Sequence, residues 1–532
     1  MNKIIRTLLF LIAFSPALRA QTSWKKSYTS GNGEKIKIAD IKSLPNGGFV
    51  IAGEVTTSAS GTNAVLMRCD ADGHALWAKY YDSGEFERAF KVSLFPGGGY
   101  VLAISQLDTV NFTDNNIVIR TDTSGGIIWT YGFTGNGLYN LNDIEVTPGG
   151  TTILAGNSRD CPTMFGCGFN GALDASGNPL WFKTLETGFL TNFNDVLYTT
   201  SGDLLFTGSN LDMNVNEYGM AAKFDTTGNI IWSNTFVGGS SDRLVKATEN
   251  NDAQGYVMVG SSLSLSSPTA DYQALLIATN YAGQYQAGGY SGGPNDDEAK
   301  EIITVAGTNL LMAGYSETDT ALNFVNQGLN LVIDISTGAT FGDILIGTGA
   351  DPEATTGLDL DNQGFILTTT ERNMFDPVNR EDFITKRTVI TGTVCDETPA
   401  GTAAPTIVTY TDTPGGDTAS LTVTTATTLF FASPLSITEN LYCGTTGIDE
   451  TENNTPISFY PNPASSLIQI NNTHSSVAVL RIFNLNGAIV STEQINPGLQ
   501  EISLEELPQG CYVMQLQTNN GVQYGKVIKV NP

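Results

Sequence analysis

Histidine occurs only twice in 532 residues, at His74 and His474, and no two cysteines stand in a CxxC spacing. A zinc site, which draws on clustered thiolates and imidazoles, is therefore not expected. Bases are scarce as well: 26 Lys and Arg face 53 Asp and Glu, for a formal net charge of −27. A surface of that sign repels phosphate backbones and anionic membranes, which argues against nucleic-acid binding. Long apolar runs are also missing. Leu8–Phe14 is the most apolar stretch and falls far short of the ~20 residues that span a bilayer. Helix-period patterns are rare. Short apolar runs instead alternate with joints rich in Gly, Thr, Asn and Ser, so the expected fold class is all-β.

What the chain does have is a repeat. Asp70-Ala-Asp-Gly73-His-Ala-Leu-Trp77 returns at Asp122–Trp129, Asp174–Trp181 and Asp225–Trp232, with worn copies at Asn280–Ala287 and Asp334–Phe341. The period is about 52 residues, the mark of a repeat architecture. Each unit reads as four strands. Ile36–Leu44 leads into the turn Pro45-Asn-Gly-Gly48, Phe49–Val55 into a variable loop, Ala64–Cys69 into the Asp–Gly turn, and the Trp strand closes the unit. Seven such turns predict a seven-bladed β-propeller over residues 21–390. The last unit offers only three strands, and the orphan strand at Trp24 supplies the fourth, closing the ring and hiding its edges. In the motif the Gly permits a left-handed turn, the Asp bonds the turn's amides and the Trp packs between neighbouring blades. These are scaffold roles.

In spacing the motif resembles the tryptophan-docking repeat of quinoprotein-type propellers, and it differs by one residue from the Asp-box of sialidase-like ones. The resemblance brings no recognisable quinone-binding residues with it, so no cofactor is expected from it.

Residues 1–20 read as a secretory signal, with basic Lys3 and Arg6, the apolar run, and Ala17-Leu-Arg-Ala20 before Gln21. Export permits disulfides. Cys161–Cys167 and Cys395–Cys443 are the expected pairs, with Cys69 and Cys511 left free. Residues 391–455 are rich in Thr and Pro and are expected to form a small β element stapled by Cys395–Cys443, with a semi-extended stalk as the alternative, then a linker. Residues 456–532 alternate and turn like a small β-sandwich. Tyr460-Pro461-Asn462-Pro463 opens this sandwich, Leu507-Pro508-Gln-Gly510-Cys-Tyr512 lies in its middle, and Lys526 and Lys529 stand on its last strand. It resembles the type A C-terminal sorting domain of Bacteroidota. That resemblance implies carriage by the type IX translocon and an outer-membrane shuttle. It further implies removal of the domain by a sortase, then release or attachment to surface lipopolysaccharide, with an extracellular or outer-surface location reached through the periplasm.

For the propeller, no motif singles out a catalytic set. The candidate ligand site is a ring of strand-end polar groups over the central channel: Asp40, Asn142, Asp143, Asn194 and Asp195, with Asp242, Glu298 and Glu353 in looser register. Such a ring could hold Ca²⁺ or sugar hydroxyls. The expected function is a non-catalytic glycan- or protein-binding module. A polysaccharide hydrolase or lyase and a structural adhesin are the alternatives.

Overall fold

A computed structural model describes residues 23–530, except for 445–458 and a set of short connecting segments, the longest being 264–270, 373–380 and 388–397. The leader and Cys395 lie outside the described residues, as do the side chains of Cys443 and Cys511. The chain divides into two units, Met1–Thr445 and Thr446–Pro532.

The first unit is a β-propeller. Its strands form seven sheets, each beginning with a four-stranded antiparallel meander. The inner strands are Ile36–Ser43, Phe86–Leu94, Asn140–Val146, Leu190–Tyr198, Asp242–Asn250, Asp297–Ala306 and Glu353–Leu360. We number the sheets one to seven in that order. Each inner strand packs beside the next, and the seventh packs beside the first, so the ring is closed. Closure is made by the N-terminal strand Trp24–Ser30, which pairs with Glu381–Arg387 in the register Trp24↔Lys386. Buried Lys25 pins that strand with an ion pair to Glu353 at 2.8 Å, and Arg372 holds the other oxygen of the same carboxylate at 3.0 Å.

Apolar clusters fill each junction between neighbouring sheets, for example Leu205, Phe236 and Ala221 of sheet four against Leu244, Tyr256 and Ile277 of sheet five. The repeated motif locks these junctions. Gly177 takes φ +83° at its turn, and a Cβ there would lie 2.6 Å from the Trp129 ring of the preceding sheet. The indole N–H groups of Trp129, Trp181 and Trp232 donate to the carbonyls of Ala175, Thr226 and Tyr281 at 3.1, 3.1 and 3.2 Å. The motif Asp does the turn work expected of it. Asp174 Oδ1 accepts the amides of Ser176 and Asn178, both at 2.8 Å.

Between 391 and 455 the described residues differ from expectation. Their strands form no separate element, because each joins one of the seven sheets. Thr398–Pro399 adds to sheet six, Thr406–Ile407 to five, Thr411–Pro414 to four, Asp417–Ser420 to three, Thr424–Ala426 to two, Phe431–Pro434 to one and Ile437–Gly444 to seven. The segment is thus a belt that circles the ring against the direction of the chain. The physical reason is that every outermost meander strand presents unpaired N–H and C=O groups, and β-prone Thr-rich backbone satisfies them.

The second unit is a sandwich of a three-stranded and a four-stranded sheet. Its core holds Ile468, Ile470, Leu480, Ile482, Met514 and Val527. The strand Gly498–Ser503 pairs with Leu467–Asn472.

Candidate functional site: the central channel and its mouth

Every inner strand carries a β-bulge at the same level, with register shifts at Ile38/Asp40, Ala89/Lys91, Leu141/Asp143, Phe193/Asp195, Leu244/Lys246, Ala299/Glu301 and Thr355/Gly357. In five sheets a glycine on the second strand makes room for it. A Cβ on Gly53, Gly156, Gly208, Gly260 or Gly314 would fall within 1.9 Å of an inner-strand carbonyl. The bulge turns the following residue into the channel. The resulting ring is Asp40, Lys91, Asp143, Asp195, Lys246, Glu301 and Gly357.

Asp40, Asp143 and Asp195 are therefore equivalent, as expected, and each is buried. Each carboxylate holds the next sheet: Asp40 accepts from Val92 N at 2.9 Å, Asp143 from Val196 N at 3.1 Å and Asp195 from Ala247 N at 2.9 Å. The amides work the same way one position earlier. Asn142 Nδ2 donates to Phe193 O and Asn194 Nδ2 to Leu244 O, both at 2.7 Å. These five groups are brought together at one level, with hydrogen bonds spent between sheets.

The looser candidates fall elsewhere. Asp242 bonds Ser262, Glu298 pairs with Arg243, and Glu353 is the N-terminal anchor. Sequence reasoning passed over the lysines that stand in their place. Lys246 lies 2.6 Å from Asp195 and 3.6 Å from Asp143, and Lys91 lies 3.8 Å from Asp143 and 3.9 Å from Glu301 across the channel. The lysine side chains keep 17% and 21% exposure.

The electrostatics follow from crowding. Burial penalises ionised Asp143, yet Lys246 and Lys91 hold its carboxyl well below the usual range. Burial, countered by Lys246 and reinforced by the charge of Asp143, pushes Asp195 up to about 7. One level deeper, burial lifts Glu145 to about 7 against the pull of Lys42. Asp40 in turn raises Lys42 above its ordinary value. At this level the inner strands are joined by a ring of paired charges.

A cleft of about 670 Å³ spans three sheets, lined by Thr62 of sheet one, Phe86, Glu87, Arg88, Phe90 and Leu107 of sheet two, and Asn140–Asn142 of sheet three, the last next to ring residue Asp143. Phe86 and Leu107 are 46% and 38% exposed. The Phe86 ring lies over Gly61, where a Cβ would come within 3.0 Å. Apolar rings edged by amides and a guanidinium can stack a ligand's flat face and bond its rim.

Among the described residues the one cluster with metal-ligand spacing is Cys161, Cys167 and Glu186. The two cysteines form a disulfide there, as expected. Cys69 is free and buried.

In the second unit the sorting-motif residues converge on the last strand. Asn462 Oδ1 accepts from Ile528 N at 2.9 Å, and Tyr512 Oη donates to Pro508 O at 2.7 Å. Buried Lys529 donates through Nζ to the carbonyls of Leu504, Glu505 and Leu507, closing the loop that carries Leu507, Pro508 and Gly510. Tyr460 projects with 75% exposure. Pro461, Pro463 and the Lys526 side chain lie outside the described residues.

Three solved structures are similar in outline. Sqt1 from Chaetomium thermophilum shares 13% identity over 65% of this chain and 83% of that one, with a TM-score of 0.39. The β-propeller domain of the Trilobed protease from Pyrococcus furiosus shares 9% over 66% and 94%, with a TM-score of 0.39. A eukaryotic initiation factor shares 11% over 80% and 98%, with a TM-score of 0.33. No curated protein matches the chain. Residues 458–530 match the family described as the secretion system C-terminal sorting domain. With that type IX tail, the chain is exported through the periplasm to the cell surface or the extracellular space.

Proposed function

We propose that the propeller is a non-catalytic glycan-binding module, displayed at or released from the cell surface after the type IX translocon, shuttle and sortase have handled the tail. The observation that carries this reading is the contrast between the ring of paired charges and the cleft. Asp40, Asp143 and Asp195 spend their oxygens on neighbouring sheets and lysines. The cleft, in contrast, leaves Phe86 and Leu107 open beside Arg88 and Asn140. Exposed apolar area of this kind, rimmed by polar groups, is how a surface offers itself to a ligand. A glycan array probed with the mature chain, with and without chelator, tests it. Selective signal that weakens in Phe86→Ala supports the module, and signal that vanishes with chelator adds Ca²⁺ to it. A blank array sinks the glycan reading and leaves a protein ligand or a structural adhesin. The hydrolase or lyase alternative is separated by incubating the same glycans with the protein: product release that is lost in Asp143→Asn or Asp195→Asn would favour it.

A further inference from the structure

We infer that the cleft lined by Phe86 and Arg88 selects acidic sugars, with Arg88 receiving the carboxylate of a uronate unit while Phe86 carries the face of its ring. The inference rests on the glycan-binding reading and adds the ligand's charge class to it.

The starting point is an unspent guanidinium in a chain with two acids for every base. Arg88 is held by one edge only: its Nε donates to Glu54, whose other oxygen takes Lys37 Nζ at 2.7 Å. Glu54 is buried, and the two cations hold its carboxyl below the ordinary range despite the cost of that burial. Lys37, Glu54 and Arg88 thus form a row with one net positive charge. Among the described residues the Nη groups of Arg88 have no hydrogen-bond partner, and its side chain is 65% exposed. A guanidinium fixed at Nε and open at Nη offers a two-toothed fork to a planar anion, and a carboxylate fits it. Phe86, Phe90 and Leu107 line the same cleft, and exposed Asn140 stands across it. A sugar ring laid on Phe86 would meet the fork with its acid group and the Asn140 amide with its hydroxyls. The protein's overall negative charge slows the approach of such a ligand. At physiological salt that repulsion is screened within roughly 8 Å, so the short-range pairing decides affinity.

The test is titration calorimetry on residues 21–532, with chelator present throughout. The probes are oligogalacturonate and its methyl ester, which keeps the ring and removes the charge. The expected result is that the acid binds about ten- to a hundredfold more tightly than the ester, in line with a charged hydrogen-bonded pair. Arg88→Gln should erase the difference, Arg88→Lys should restore part of it, and Phe86→Ala should weaken both probes alike. Equal binding of acid and ester, a comparison that needs no variant, overturns the inference and leaves the glycan reading standing. A blank for both probes, joined to a blank array, overturns the two together.

Discussion

The contact between Gly177 and Trp129 can be tested to the level of a single methyl group. In Gly177→Ala the new Cβ would sit 2.6 Å from the Trp129 ring while the backbone holds φ +83°. The left-handed conformation costs Ala about 1–2 kcal/mol. Forcing a methyl into a filled junction costs about 1–3 kcal/mol more, so the substitution should destabilise the propeller by roughly 2–5 kcal/mol. Trp129→Ala removes the indole, its bond to Ala175 O and the obstruction together. In that background Gly177→Ala should cost only the backbone part, about 1–2 kcal/mol. The two changes should therefore couple by roughly 1–3 kcal/mol. Guanidinium denaturation followed by far-UV circular dichroism measures all four proteins of the cycle without relying on the lost tryptophan. If the single changes add to within ~0.5 kcal/mol, the indole is not what excludes a side chain from the turn, and the docking account of the repeat fails.

Three further outcomes are expected. Asp195 and Glu145 are raised to about 7, so between about pH 4 and 7 the folded state binds more protons than the unfolded one and stability should fall as pH rises. Asp143, lowered, works in the opposite sense and loses its contribution below about pH 4. Melting temperatures at pH 5 and 7.5 should show the decline, and Asp195→Asn should reduce it; an unchanged slope in that variant would count against the buried carboxyl pair. Val215 holds φ +66° at an exposed turn closed by Asp212, a conformation that strains a branched side chain, so Val215→Gly should stabilise by about 1 kcal/mol in the same denaturation assay. A chain ending at residue 390 lacks the belt and uncovers an edge on each of the seven sheets, and light scattering should detect aggregation absent from the longer protein.

Much of this was legible in the sequence because the repeat writes its physics into fixed positions. The Asp–Gly–Trp spacing marked the outer turns, and the orphan Trp24 strand announced how the ring closes. The bulge was also written there, in Ala52-Gly53, Ala155-Gly156, Thr207-Gly208, Val259-Gly260 and Ala313-Gly314. Reading only acids hid Lys91 and Lys246, which stand at the same repeat spacing as Asp40 and Asp143. A side chain of opposite sign at an equivalent position belongs to the same ring, and its charge offsets the burial of Asp143 and Asp195. The belt was not legible, because its strands are two to eight residues long and make sense only against edges that the rest of the chain has already built. The cleft was missed for a similar reason: Phe86 and Arg88 lie in an ordinary strand, and only the ring sets them beside Asn140.

The belt has a mechanical meaning as well. Its last strand, Ile437–Gly444, lies on the N-terminal strand with Gly444 opposite Trp24, so both ends of the propeller leave from one sheet. A load applied through the C-terminal side meets that strand first, and then the belt strands on sheets one, two and three in turn. Residues 398–444 could pay out roughly 160 Å of extended chain before any meander is disturbed. Under flow or tension, a propeller held in this way would lengthen its tether in small steps while the ring that carries the cleft stayed whole.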